Sequence, residues 1–447
     1  MDSTADVPDG VVDAVRRLRD GELTSVALTK AMLARIRATD DGVGAWAHVD
    51  PEIALAAARS CDARRARGGE RGALEGIGIG VKDIIDTSDM PTALGSPIHA
   101  GRQPTIDAEC IARLRHAGGF ALGKTVTTEF AFMQPGKTRN PWNTAHTPGG
   151  SSSGSAAAVA LRQCGAALAT QTNGSIVRPA AYCGVAGFKP TSGTLPYAGI
   201  FVFSPTLDTL GVIAGDVDDC AYVASALADD GRIAAAVRLL PVPPRIGVLA
   251  DFPWVETGAE QARAIQRAIA ALRAAGAKVD EIAFPHVWRD AQRVHRCIML
   301  HEGARELGPT QGAERARMSE ELNRALDEGR RIDEASYAEA MRARQTMIAA
   351  TAEVLAGCDA LLSPPVPGPA PRDLSQTGDP ACCTLWTLLG TPSIAIPVAR
   401  AANGLPLGIQ LSAQRGDDDA LLAVAKWCEP RFERIRLDPA VSQRFSA

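Results

Sequence analysis

Hydrophobic positions change period several times along the chain. Between residues 24 and 36, Val26, Leu28, Met32, Leu33 and Ile36 recur in an apolar stripe that predicts a helix, with Thr24 and Ser25 able to cap its start. From about residue 74 the texture turns to short apolar runs broken by Gly and Pro, which read as buried strands and loops. Val81, Ile84 and Ile85 surround Lys82 in one such run. Residues 245–250 predict a strand. Residues 257–275 predict a helix with Ile265, Ile269 and Leu272 on one face and Gly276 as its stop, and 278–284 a further strand, together a βαβ-like unit. The pattern at 288–357 is mostly helical and highly charged. Strands return at 359–363, ahead of Pro364-Pro365, and at 393–398 and 406–411. No repeat, low-complexity linker or clean boundary interrupts the chain, so one large α/β domain over 1–447 with a helical excursion is expected.

Composition narrows the function classes. Apolar residues make up 46% of the 447, enough for a sizeable core, while aromatics are only 4% and Ala and Gly abound, which favours close packing of elements. A net charge of −4 gives no electrostatic footprint for nucleic acid or an anionic membrane. The ten cysteines form no CxxC pair, and the seven histidines no HExxH or HxH pattern. Buried thiols in a reducing compartment are therefore expected, and no metal. The acidic start at Met1 to Gly10 does not read as a signal peptide, and the Ala-rich run after Gly154 is cut by Arg162 and Gln163 before it reaches the length of a membrane span. A cytoplasmic enzyme of small molecules is the expectation, with the oligomeric state, a homodimer included, left open.

Three motifs compete for the chemistry. Gly118-Gly119-Phe120-Ala121-Leu122-Gly123-Lys124-Thr125 matches the phosphate-loop pattern GxxxxGK[ST]. That loop needs a strand before it and a helix after it, whereas Phe120 to Leu122 itself reads as a strand and Val126 with two threonines begins a helix poorly. Gly150-Ser151-Ser152-Ser153-Gly154 matches the GxSxG nucleophile elbow and would make Ser152 the nucleophile, served by a later histidine. The later histidines, His286, His295 and His301, fall in the charged helical region, where a solvated face is the simpler reading.

The third motif is longer. Pro148-Gly149-Gly150-Ser151-Ser152-Ser153-Gly154-Ser155-Ala156-Ala157 is followed by Thr172-Asn173-Gly174-Ser175-Ile176-Val177-Arg178-Pro179-Ala180-Ala181 and by Gly187-Phe188-Lys189-Pro190-Thr191. Val81-Lys82-Asp83 lies upstream, Glu129-Phe130-Ala131 and Leu207-Asp208-Thr209 between and after, and Gly404-Leu405-Pro406-Leu407-Gly408-Ile409-Gln410 near the end. This set resembles the amidase signature family, in its stand-alone branch of malonamidase-like or urethanase-like enzymes, and absorbs both shorter matches. The resemblance implies a large, mostly parallel or mixed sheet with helices on both faces. It also implies a helical N-terminal region at about 9–70, a signature core at about 74–215, and a helical excursion on the substrate side at about 288–357.

The resemblance also assigns roles. It makes Ser175 the nucleophile, Ser151 a proton relay on a cis peptide and Lys82 the base, with no cofactor. Oxyanion donors would be the backbone N–H groups of Thr172, Asn173 and Gly174, and Arg178, Gln171 and Ser152 would face the substrate. A serine needs a base to become nucleophilic, and a lysine serves only when burial disfavours its ammonium form; a salt bridge to Asp83 or Asp86 is the competing reading of Lys82. Most relatives carry glycine at Asn173, an acid at Gln171, and the arginine one position earlier than Arg178. Malonamidase-like relatives share the Arg178 placement and use it for a substrate carboxylate, while an ion pair bracing the loop is the alternative. Loops near 130–134 and 197–203 and the helices after Trp288 are expected to wall the pocket, with Phe132, Phe201 and Phe203 on an apolar side.

The expected reaction is hydrolysis of a small amide, with carbamates, ureas and anilides chemically accessible. The alternatives are the amidase component of a tRNA-dependent amidotransferase, against which the departures at Gln171, Asn173 and Arg178 weigh, and a non-catalytic binding protein of the same fold.

Overall fold

A computed structural model describes residues 8–68, 72–228, 233–234 and 237–437. Eleven strands in it form one sheet: β1 (Trp46–His48), β2 (Gly78–Lys82), β3 (Phe120–Thr125), β4 (Ala166–Gln171), β5 (Ala186–Lys189), β6 (Thr209–Ala214), β7 (Arg245–Val248), β8 (Lys278–Glu281), β9 (Ala360–Ser363), β10 (Ser393–Arg400) and β11 (Pro406–Ser412). Their spatial order is β1-β3-β2-β4-β6-β5-β10-β11-β9-β7-β8. The sheet is mixed: β2 runs parallel to β3 and β4, and β7 to β8 and β9, while the other six pairings are antiparallel.

Successive side chains of a strand point to opposite faces. Every residue of β2, β3, β4, β6 and β11 is buried, so helices cover both faces of the sheet's interior. The edge strand β8 buries only Val279. Close packing by small residues is visible at the helix Ser153–Ala160, buried along its whole length. A Cβ on Gly154 would stand 2.2 Å from the Ala45 carbonyl oxygen and 2.3 Å from the Val126 nitrogen, so the helix can approach the backbone of its neighbours there only through glycine.

The predicted elements fall close to their places. Thr24 Oγ1 accepts the Ala27 N–H at 3.1 Å and starts the helix Ser25–Thr39, which buries Leu28, Met32 and Leu33. The helix Ala259–Ala274 crosses over between the parallel strands β7 and β8. The helices Ala291–Glu314, Glu320–Gly329 and Glu334–Leu355 occupy the charged region. The three-residue strand β1 interrupts the N-terminal region that reads as wholly helical. Among the described residues no helix is long and apolar enough to cross a membrane. All ten cysteines are free, eight of them buried.

Candidate active site

The parallel pairing of β2 with β4 sets Gly80 against Ala167 and Val81 against Leu168, which brings the C-terminal ends of the two strands side by side. Lys82 ends β2 and is fully buried. Its Nζ lies 2.8 Å from Thr170 Oγ1 on β4 and 2.7 Å from Ser151 Oγ. Neither acid expected to compete for it does so. Asp83 accepts the Ala93 N–H, and Asp86 takes Arg102 with two bonds of 2.6 and 2.8 Å. Burial pushes the Lys82 pKa down to about 7, with Asp208 pulling the other way.

Ser151 follows a left-handed Gly149 and a cis Gly150–Ser151 peptide. Ser175 stands in the turn between β4 and the helix Val177–Cys183, largely buried, and opens on a cleft of about 480 Å³. The turn before it is held from outside its own backbone. Thr387 Oγ1 donates to the Asn173 carbonyl at 2.6 Å, Thr384 Oγ1 to Asn173 Oδ1 at 2.8 Å, and His295 Nε2 to the Thr172 carbonyl at 2.9 Å. The backbone N–H groups of Thr172, Asn173, Gly174 and Ser175 donate to no acceptor among the described residues. Unused donors beside a serine in a cleft can receive a developing oxyanion.

Several sequence expectations change. Gln171, expected to face the substrate, turns into the scaffold: it is buried, its Oε1 accepts the N–H groups of Ile176 and Val177 at 2.8 and 3.1 Å, and its Nε2 donates to Thr387. It serves the first N–H groups of a helix, which have no partner of their own. Ser152 is likewise buried and donates to the Thr170 carbonyl at 3.2 Å. Arg178 reaches the cleft, but three of its N–H groups brace carbonyls: Nε and Nη2 donate to Gly150 at 3.1 and 2.7 Å, and Nη1 to Gly378 at 2.5 Å.

His295 is buried, not solvated, and burial lowers its pKa to about 4, so the neutral ring donates to Thr172. His301 is buried too and bonds the Ile332 carbonyl, whereas His286 is exposed. No histidine ring bonds a serine among the described residues, which leaves the GxSxG reading without its base. In the phosphate-loop match, Lys124 lies inside β3 and its ammonium is taken by the Ile85 carbonyl and Thr92 Oγ1.

The cleft walls come from the expected regions. Ala131, Phe132, Met133 and Phe203 line the cleft, and Gln292, Met299 and Arg324 come from the charged helices. Phe132 and Phe203 stack at 5.2 Å, while Phe201 packs behind the wall on Phe130. Thr170, Asp208 and His295 are the participants that sequence reading passed over. Only Asp208 left a signal, as part of the Leu207-Asp208-Thr209 match.

A mixed sheet that sets a buried lysine against one serine and a second serine against unused backbone donors is the architecture of a hydrolase acting on carbon–nitrogen bonds other than peptide bonds. The chain belongs to the amidase family, whose family model matches residues 27–422. Its sequence is 36% identical to that of the A subunit of the glutamyl-tRNA(Gln) amidotransferase from Chloroflexus aggregans, over 91% of this chain and 93% of that one. Among solved structures it resembles one described as an amidase, with a TM-score of 0.86 and 31% identity over 95% of this chain and 100% of the other. It also resembles the native peptide amidase of Stenotrophomonas maltophilia, with a TM-score of 0.82 and 30% identity over 97% and 98% of the two chains.

Proposed function

We propose that the protein hydrolyses small carboxamides through an acyl-enzyme on Ser175, with Ser151 and Lys82 carrying the proton. The observation that supports this best is the Lys82 nitrogen, buried, 2.7 Å from Ser151 Oγ and with no carboxylate bonded to it among the described residues. A pKa brought down to about 7 leaves a large fraction of it neutral at neutral pH. Ser175 Oγ attacks the carbonyl carbon as its proton passes through the Ser151 hydroxyl, which can both accept and donate, to Lys82 Nζ. The tetrahedral oxyanion takes backbone N–H groups of the 172–175 turn. Collapse breaks the C–N bond, and the proton returns through Ser151 to the departing nitrogen. A water molecule, deprotonated along the same path, then releases the acid.

The acyl group accepted is small, and carbamates, ureas and anilides present the same planar carbonyl on nitrogen. Arg178 braces the loop in this reading. The Ser175→Ala substitution should abolish turnover of a chromogenic amide, carbamate and anilide panel while leaving thermal unfolding unchanged. Residual activity above about a tenth of wild type would remove Ser175 from the mechanism, since losing an activated nucleophile costs far more than tenfold.

A second reading is favoured by the sequence comparisons: the amidase component of a tRNA-dependent amidotransferase, releasing ammonia from glutamine for a partner. The chemistry at Ser175 is the same. The expectation of no nucleic-acid partner rests on net charge alone, and the Gln171 departure bears only on scaffold, so neither counts strongly against it. Glutamine hydrolysis that appears only on adding partner proteins and tRNA selects this reading; turnover of small amides by the chain alone selects the first.

A further inference from the structure

Asp208 has no part in the steps above, yet it is bonded to the turn that carries the oxyanion donors. Its Oδ1 accepts Thr172 Oγ1 at 2.6 Å, and its Oδ2 accepts the N–H groups of Phe203 at 2.8 Å and Ser204 at 3.2 Å. Thr172 begins the turn whose N–H groups are unused, and Asp208 is the carboxylate whose charge acts on Lys82. The 203–208 loop is gripped from its other side by a second carboxylate. Glu302, buried in the helix Ala291–Glu314, accepts Thr206 N at 3.1 Å, Thr206 Oγ1 at 2.5 Å, the Ser204 hydroxyl and the Tyr337 hydroxyl at 2.7 Å. Beside it, a Cβ on Gly303 would lie 2.6 Å from the Phe203 ring, so glycine there seats the ring that walls the cleft.

We propose that Asp208 is a positioning residue for the reaction: it ties the Thr172 turn to the 203–208 loop, while Glu302 fixes that loop against the helices that wall the cleft. This rests on the reading of Ser175 as nucleophile. A part-buried carboxylate that only filled space would need its oxygens satisfied, and backbone N–H groups could do that. Asp208 instead divides its two oxygens between the loop that carries it and the side chain at the head of the donor turn. It thereby ties two segments that are 36 residues apart. The helical region carries none of Lys82, Ser151 and Ser175, and Glu302 links it to the loop of Asp208. An amide at Gln171 leaves Asp208 as the carboxylate that Lys82 feels.

The test is the pH dependence of Ser175 labelling by a fluorophosphonate in the full chain, alongside kcat and KM. The groups facing Lys82 are the Ser151 and Thr170 hydroxyls and Asp208; those facing Asp208 are Lys82, Thr172 and the Tyr197 phenol, whose pKa burial raises far above the assay range. Asp208, whose own pKa burial raises to about 6, is ionised above that pH and there holds the Lys82 pKa up, so Asp208→Asn should move the acid limb to lower pH, by about half a unit or more. It should also slow the plateau about tenfold or more, because the turn is no longer tied. Thr172→Val, which removes the bond and leaves the carboxyl group in place, should slow the plateau to a similar extent, and Thr172→Ser should restore it to within about threefold. Asp208→Asn with an unmoved limb and a plateau within about threefold of wild type overturns the proposal. If Asp208→Asn does not fold, the Thr172 pair decides, and equal rates for Val and Ser overturn it. Absence of labelling in the wild type is a separate result, which removes the Ser175 reading itself.

Discussion

Replacing Arg178 by methionine decides between a brace and a substrate clamp. The guanidinium is 2% exposed and gives two bonds to the Gly150 carbonyl and one to that of Gly378. Methionine fills much of the volume and supplies no donor. Two buried carbonyls lose their partners, at about 1–3 kcal/mol each. Part of that is returned because a cation no longer has to be buried, so a net loss of about 2–3 kcal/mol is expected. The functional cost follows from geometry. The Gly150 carbonyl belongs to the peptide that carries Ser151, and a displacement of about 1 Å in a reacting group costs about a hundredfold. Arg178→Met should therefore lower kcat/KM about a hundredfold on a neutral and an anionic member of one chromogenic amide series alike. Arg178→Lys should rescue little, because a single ammonium cannot reproduce the fork that holds both carbonyls. The assay is steady-state kinetics on the matched pair, with denaturant unfolding in parallel. Neutral turnover within about threefold of wild type, together with an anionic loss beyond about thirtyfold, refutes the brace and makes Arg178 a carboxylate clamp through its two remaining N–H groups.

Three further outcomes are expected. Lys82 must lose its proton before it can accept one, so kcat/KM should rise with pH through a midpoint near 7; a profile flat between about pH 5.5 and 8.5 would exclude it as the base. Gly154→Ala drives a Cβ into the backbone of both Ala45 and Val126, so thermal or urea unfolding should show a loss at the upper end of overpacking costs, about 3 kcal/mol, and wild-type stability would mean that the helix shifts freely. Glu429 is pushed up to about 8 by burial with Asp216 beside it. Its folded pKa exceeds the unfolded one, so its contribution to stability falls as pH rises from about 4 to 8. Glu429→Gln, which keeps an oxygen for the Val217 N–H, should gain on wild type in urea unfolding as pH rises through that window, and a pH-independent difference contradicts the assignment.

The parts of the site legible in the sequence are those whose residue types are unusual for their surroundings. A lysine inside the apolar run ending β2, and serines beside glycines, stand out because burial or a tight turn is needed to explain them. Gln171 and Ser152 sit within the same motif, and spacing cannot tell a residue facing the cleft from one facing the scaffold. Their direction is set by partners such as Thr387, 216 residues away from Gln171. His295 and Glu302 were hidden for a related reason. Periodicity counts a polar residue as solvated, and only the partners, Thr172 for one and the 204–206 loop for the other, make burial tolerable. Strand existence was readable from apolar runs, but the order of the sheet was not, because β10 inserts between β5 and β11 through contacts that no local pattern encodes.

The stacked pair Phe132 and Phe203, with Met299 and Arg324 beyond it, belongs to segments that supply neither Lys82, Ser151 nor Ser175. Selection for a new substrate can therefore work on the cleft surface one residue at a time while the proton path stays as it is. The same helix that offers Met299 for such change also carries His295 and Glu302, which hold the turn and the loop beneath it. A library for altered acyl preference should thus randomise positions 132, 299 and 324 and keep 295 and 302 fixed. Lineages that change acyl preference are expected to differ along this helix in the same alternating way.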